Sequence, residues 1–125
     1  MLGDAKVYPV IAVADMDVAK EFYVNRLGMQ LERENETGTI VRGDDSKLLL
    51  YVSDFAGTNE ATAALWQVNN VDAVVDDLTG KGVSFEVYED MEGVTLEGVV
   101  HVMDELRAAW FKDPDGNVLC ISDAM

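Results

Sequence analysis

The chain has 125 residues, 49% of them hydrophobic, and carries nine basic against 24 acidic side chains, a formal net charge of −15. That length buries a core without staples. The charge excludes nucleic acid, which needs clustered lysine and arginine, and argues against anionic membrane surfaces; it serves solubility or draws in a cationic ligand.

Residues 6–13, KVYPVIAV, are rich in β-formers and predict a strand. Pro9 has no N–H and belongs near its start or at an unpaired edge position. Asp15 or Asp17 caps a helix with Val18, Phe22, Tyr23 and Leu27 on one face, and Gly28 takes the left-handed position after it. Strands follow at 30–35, 39–42 and 47–53, with turns at Gly38 and 43–46. The pattern then restarts with a strand at 64–68 and a helix capped by Asn69 or Asn70. Val71, Val74, Val75 and Leu78 form its buried face, and Gly80 and Gly82 bracket its end. Strands are expected at 83–89, 106–112 and 117–122, with an insertion at 90–105 between the first two. The chain therefore reads strand-helix-three strands twice, at about 5–55 and 62–123.

The letters repeat as well. VADMDVA at 13–19 lies over VNNVDAV at 68–74, LGMQLE parallels KGVSFE, and LYVSD parallels LCISD. Matches in the same order within matching elements point to duplication. Near the C-terminus, AWFKDPDGNVL makes a tight hairpin: Pro114 fixes φ, and Gly116 can take a positive φ. Trp110 and Phe111 are adjacent on a strand and so face opposite sides of the sheet.

The duplicated unit, its VADMDVAKEFYVNRLGM start and its AWFKDPDGNVL end resemble the vicinal oxygen chelate superfamily, which includes glyoxalase I, bleomycin-resistance proteins and extradiol dioxygenases. The resemblance spans the whole chain. It implies an α+β fold over 1–125, in which two tandem βαβββ units form a curved mixed sheet around a cavity, with helices on the convex face. Phe111 and Trp66 then belong under the helices, and Trp110 in the cavity wall.

Metal-dependent members of that superfamily carry His or Gln on the first strand of each unit and Glu on the last. Those places fall here on Tyr8, on Ala63, on Cys120, and on Tyr51 or Leu50. Ala63 binds no metal, tyrosine must first lose its proton, and one cysteine does not hold zinc alone. No metal and no cofactor are expected. His101, the only histidine, lies in the insertion and would need Asp104 or Glu105 as a partner to act as a base. A nucleophilic Cys120 would need a thiolate, which the negative charge disfavours. What remains is a wall for a ligand: Tyr8, Tyr51, Leu65, Gln67, His101, Trp110 and Cys120.

Two functions fit. One is a metal-free small-molecule-binding protein that sequesters an aromatic or cationic compound, such as an antibiotic. The other is a lyase, isomerase or dioxygenase with a non-standard metal site or with His101 as acid and base. The small size and the superfamily's habits imply a homodimer. The longest clear apolar run, 48–52, is far below the ~20 residues of a membrane helix. With no basic-then-apolar leader and a single cysteine, the expected location is cytoplasmic.

Overall fold

Asp15 is the first helix cap: it is extended, at φ −134°, and its carboxylate accepts from the N–H groups of Asp17 and Val18. This is read from a computed structural model that describes residues 1–123; the last two residues of the expected 1–125 domain lie outside the described residues. Helix α1, Met16–Lys20, continues as a π-helix over Glu21–Arg26. Its wider winding brings Glu21 and Arg26, five positions apart, into an ion pair at 3.3 Å. Asn70 caps α2, Val71–Gly80, by accepting from the Ala73 N–H at 3.0 Å. Among the described residues no helix is long and apolar enough to cross a membrane.

Strands β1 (Val10–Val13), β2 (Gln30–Asn35), β3 (Gly38–Arg42) and β4 (Lys47–Val52) form a four-stranded sheet in the order β1-β4-β3-β2. The second sheet contains β5 (Thr62–Gln67), β6 (Phe85–Glu86), β7 (Thr95–Glu97), β8 (Val100–Met103), β9 (Leu106–Lys112) and β10 (Val118–Ser122). Its order is β5-β10-β9-β8-β7, with β6 paired to β9. In each unit the first strand runs parallel to the last and the other pairs are antiparallel. The α+β architecture with mixed sheets is the expected one, but the units form two sheets, and the curve between them is not closed.

Three elements differ from expectation. β1 begins at Val10 rather than residue 6, because Pro9 has no N–H to give; its carbonyl still accepts from Leu49 N–H at 3.1 Å. The strand expected at 83–89 shrinks to Phe85–Glu86. The insertion 90–105 contains a hairpin, β7 with β8, which turns at Gly98 with φ +65°. His101 therefore lies on a strand, fully buried, and not in a loop.

Both units share one core. Ile11, Val13, Val41 and Leu50 meet Ala109, Phe111, Leu119 and Ile121, and Phe22, Tyr23, Val75 and Leu78 of the helices pack against them. Phe111 is its centre, with the rings of Phe85, Trp66 and Phe22 at 5.5, 6.3 and 6.4 Å.

The DPDG turn fastens the units together. The Asp113 carboxylate is buried and accepts from the Tyr23 hydroxyl at 2.7 Å. It also accepts from the N–H groups of Asp115 and Asn117 and from Asn117 Nδ2. Asn117 Nδ2 reaches the Ala12 carbonyl at 2.8 Å, and Asp115 Oδ1 accepts from Ala14 N–H at 3.1 Å. A carboxylate with this many donors tolerates burial, where an unpaired one would not.

Candidate functional site

Strand alternation sends Phe111, Ala109, Leu119 and Ile121 into the core, so their neighbours face the other way. Two rows cross that second face. In one, Leu65 on β5 stands opposite Cys120 on β10, and Cys120 opposite Trp110 on β9. In the next, Gln67, Ser122, Ala108, His101 and Leu96 follow one another across five strands. Five of the seven expected wall residues thus share one face.

Trp110 is half-buried and held in place. Its indole N–H donates to Thr62 Oγ1 at 3.1 Å. Its ring meets His101 edge to face at 5.0 Å and 86°, and Tyr88 at 5.7 Å and 76°. Tyr88 comes from the segment between β6 and β7 and lies 5.6 Å from His101. It is absent from the expected wall: nothing in a seven-residue strand assignment marks a side chain that folds back over the next hairpin.

His101 is committed structurally. The Tyr88 N–H donates to Nε2 at 3.0 Å, so Nε2 carries no hydrogen; Nδ1 then donates to the Val99 carbonyl at 3.0 Å. Main-chain groups, rather than Asp104 or Glu105, take both nitrogens. Burial pushes the Cys120 thiol up to about 11, against the opposing pull of a main-chain hydrogen bond with Ala109. At neutral pH it is a neutral thiol, neither nucleophile nor ready metal ligand.

Beside this face runs a groove of about 910 Å³, between the extended segment 6–9, the turn 43–46 and β5. Tyr8, Leu65 and Gln67 line it, over Met29 and Leu48. Trp66 packs toward Phe111 as expected, but it also borders the groove. Tyr51 stands apart from these residues on the first sheet, opposite Ala12 and 38% exposed.

A family model of the Glyoxalase/Bleomycin resistance protein/Dioxygenase superfamily matches residues 7–121. The chain belongs to this superfamily. Among solved structures, the glyoxalase family protein from Enterococcus faecalis superposes with a TM-score of 0.74, over 98% of this chain and 99% of that one, at 18% identity. The bleomycin-binding protein from bleomycin-producing Streptomyces verticillus, complexed with copper(II)-bleomycin, gives 0.72 over 100% of both chains at 21% identity. An antibiotic binding protein from Streptomyces sp. CB03234 gives 0.65 over 94% and 95% at 22% identity. These identities establish likeness of fold. No curated protein sequence matches the chain.

The four expected metal places differ in their surroundings. Leu50 is fully buried in the core, so Tyr51 holds the first unit's last-strand place. Tyr8 precedes β1 and is 39% exposed, and Ala63 sits where the register between β5 and β10 shifts. Two phenols, a methyl group and a neutral thiol do not fit a divalent ion. Among the described residues no three or more His, Cys, Asp or Glu side chains gather as metal donors.

Proposed function

We propose that this member of the glyoxalase superfamily binds a small organic molecule without a metal, and that the ligand is flat and aromatic or cationic. The observation that carries this is Trp110: a fixed aromatic side chain in a row with Leu65 and Cys120, next to a row holding Gln67 and His101. An apolar, aromatic wall with a few polar atoms suits such a ligand, and stacking or cation–π contact would hold it. The groove beside it extends the lining through Tyr8. The net charge of −15 favours a cation. Two of the similar structures are of proteins named for binding bleomycin and an antibiotic, which supports a binding role. Acid–base chemistry at His101 has no support, since both ring nitrogens are already bonded.

The first sheet leaves Val10, Tyr51 and Val52 exposed, and Phe55 is exposed in the turn after β4. A second copy of the chain covering this apolar surface makes a homodimer, the form in which Tyr51 joins the ligand-binding lining. A cytoplasmic setting fits the lone, reduced Cys120.

Calorimetric titration with planar aromatic cations, before and after chelator treatment, tests the reading. Saturable one-site binding that survives chelation is expected. Binding lost on chelation, together with about one zinc, nickel or iron per chain, would overturn it. Sedimentation at physiological salt should find dimers; monomers alone would remove the second copy.

A further inference from the structure

We propose that residues 87–94 form a strap that closes over Trp110, with Tyr88 occupying the place of a flat aromatic ligand that carries an N–H donor at its edge. This rests on the reading that the Trp110 face binds such a molecule.

The fixed and the movable parts are distinct. Trp110 is tied to Thr62, and His101 is tied through Nδ1 to Val99 in its own hairpin. Both stay in position whatever the strap does. The strap joins no β-ladder between Phe85–Glu86 and Thr95–Glu97. None of these apolar side chains is fully buried: Val87 is 42% exposed, Met91 39% and Tyr88 36%. Gly93, at φ +77°, gives the far end a turn that other residues resist. A segment with no ladder and only partly buried side chains opens without global unfolding.

Tyr88 covers the Trp110 face with two ring contacts and one main-chain bond. The ring of Tyr88 meets Trp110 edge to face at 76°, a geometry an aromatic guest would also adopt, and lies tilted at 46° against His101. The main-chain bond fixes the guest's chemistry. When the strap lifts, His101 Nε2 exchanges the Tyr88 N–H for water, and a guest that covers it again without a donor leaves a buried acceptor unmet, which is costly. A guest that brings an N–H in the plane of its ring restores the bond; one without it does not. The closed strap also lowers apparent affinity in proportion to the fraction of chains that are open.

The experiment uses two planar cations, 9-aminoacridine, which has N–H donors, and 10-methylacridinium, which has none. They are titrated into the protein and into Tyr88→Ala, both on a Trp66→Phe background that leaves Trp110 as the only tryptophan. Acrylamide quenching of Trp110 and amide exchange of the 86–95 segment are followed alongside. Tyr88→Ala keeps the main-chain N–H but removes the ring, so it should expose Trp110 to acrylamide and tighten binding of both dyes about ten-fold, because the competing ring is gone. 9-Aminoacridine should bind about ten-fold better than 10-methylacridinium in either form, as an unmet buried acceptor demands. In the parent, the Tyr88 amide should exchange roughly a hundredfold faster than those of β9. Exchange of that amide only on global unfolding overturns the strap, even if Tyr88→Ala fails to fold. If both dyes bind the two forms equally well, the strap is overturned and the binding reading survives. If Trp110 becomes accessible but neither dye binds, the strap stands and the binding reading fails.

Discussion

The Tyr23 hydroxyl donates to Asp113 Oδ2 at 2.7 Å in the buried interior, joining the first unit's helix to the second unit's last turn. Burial, reinforced by the Asp113 carboxylate, holds the phenol well above its ordinary range, so it remains a donor throughout the accessible pH range. Tyr23→Phe removes one donor from a charged acceptor and should cost roughly 1–3 kcal/mol. The urea midpoint should fall with the slope unchanged. The folded pKa lies above the unfolded one, so the contribution is full below about pH 10 and fades as pH rises beyond it. Tyr23→Phe should flatten that part of the alkaline stability curve.

Gly57 offers a second test of the same turn. It has φ +72°, and a Cβ there would run into the Asp115 carbonyl oxygen. Gly57→Ala combines backbone strain with a clash against main chain and should cost about 2 kcal/mol or more, a clear drop in Tm.

Trp110 and Phe111 should part company on truncation. Phe111 has three aromatic neighbours in the core, and Phe111→Ala should cost roughly 3–5 kcal/mol of stability. Trp110→Ala should cost less stability and instead weaken ligand binding by about 1–3 kcal/mol. Thermal unfolding of the two variants side by side is decisive. A larger loss for Trp110 would mean that its face is closed core.

Cys120 gives the pH test. With burial pushing its thiol up to about 11, iodoacetamide should leave the native protein unmodified at pH 8 and label it readily in urea. The folded pKa is raised, so this group's contribution is present below the unfolded value of about 8.5 and is lost as pH climbs toward 11. Rapid labelling of the folded chain at pH 8 would contradict the buried, neutral thiol.

Local signals were legible in the sequence. The sequence narrows the caps to Asp15 or Asp17 and to Asn69 or Asn70, of which Asp15 and Asn70 serve, and Gly28 and the DPDG turn announce themselves, because caps and turns depend on a few neighbouring residues. The opposed faces of Trp110 and Phe111 follow from alternation alone. What stayed hidden depends on distant contacts. β7 is three residues long, too short for periodicity, so its hairpin with β8 read as a plain insertion and His101 as a loop residue. Tyr88 matters because of where its segment folds back, which no local pattern encodes. Tyr51 and Leu50 could not be separated until the core claimed Leu50.

The π-helix at Glu21–Arg26 takes up a difference in length between the two halves. Thirteen positions separate the Asp15 cap from Gly28, but twelve separate the Asn70 cap from Gly82. One residue more lies in the first half, and the helix takes it up in a widened turn, with the Leu27 N–H reaching back five places to the Phe22 carbonyl. Downstream, the strand pairing of the first sheet keeps its frame and Leu48 and Leu50 stay on the buried side. One extra residue in a strand would flip every side chain beyond it; in the helix it only widens a turn. The first half therefore holds one residue more than the second between cap and glycine, while β3 and β4, which follow, keep their register.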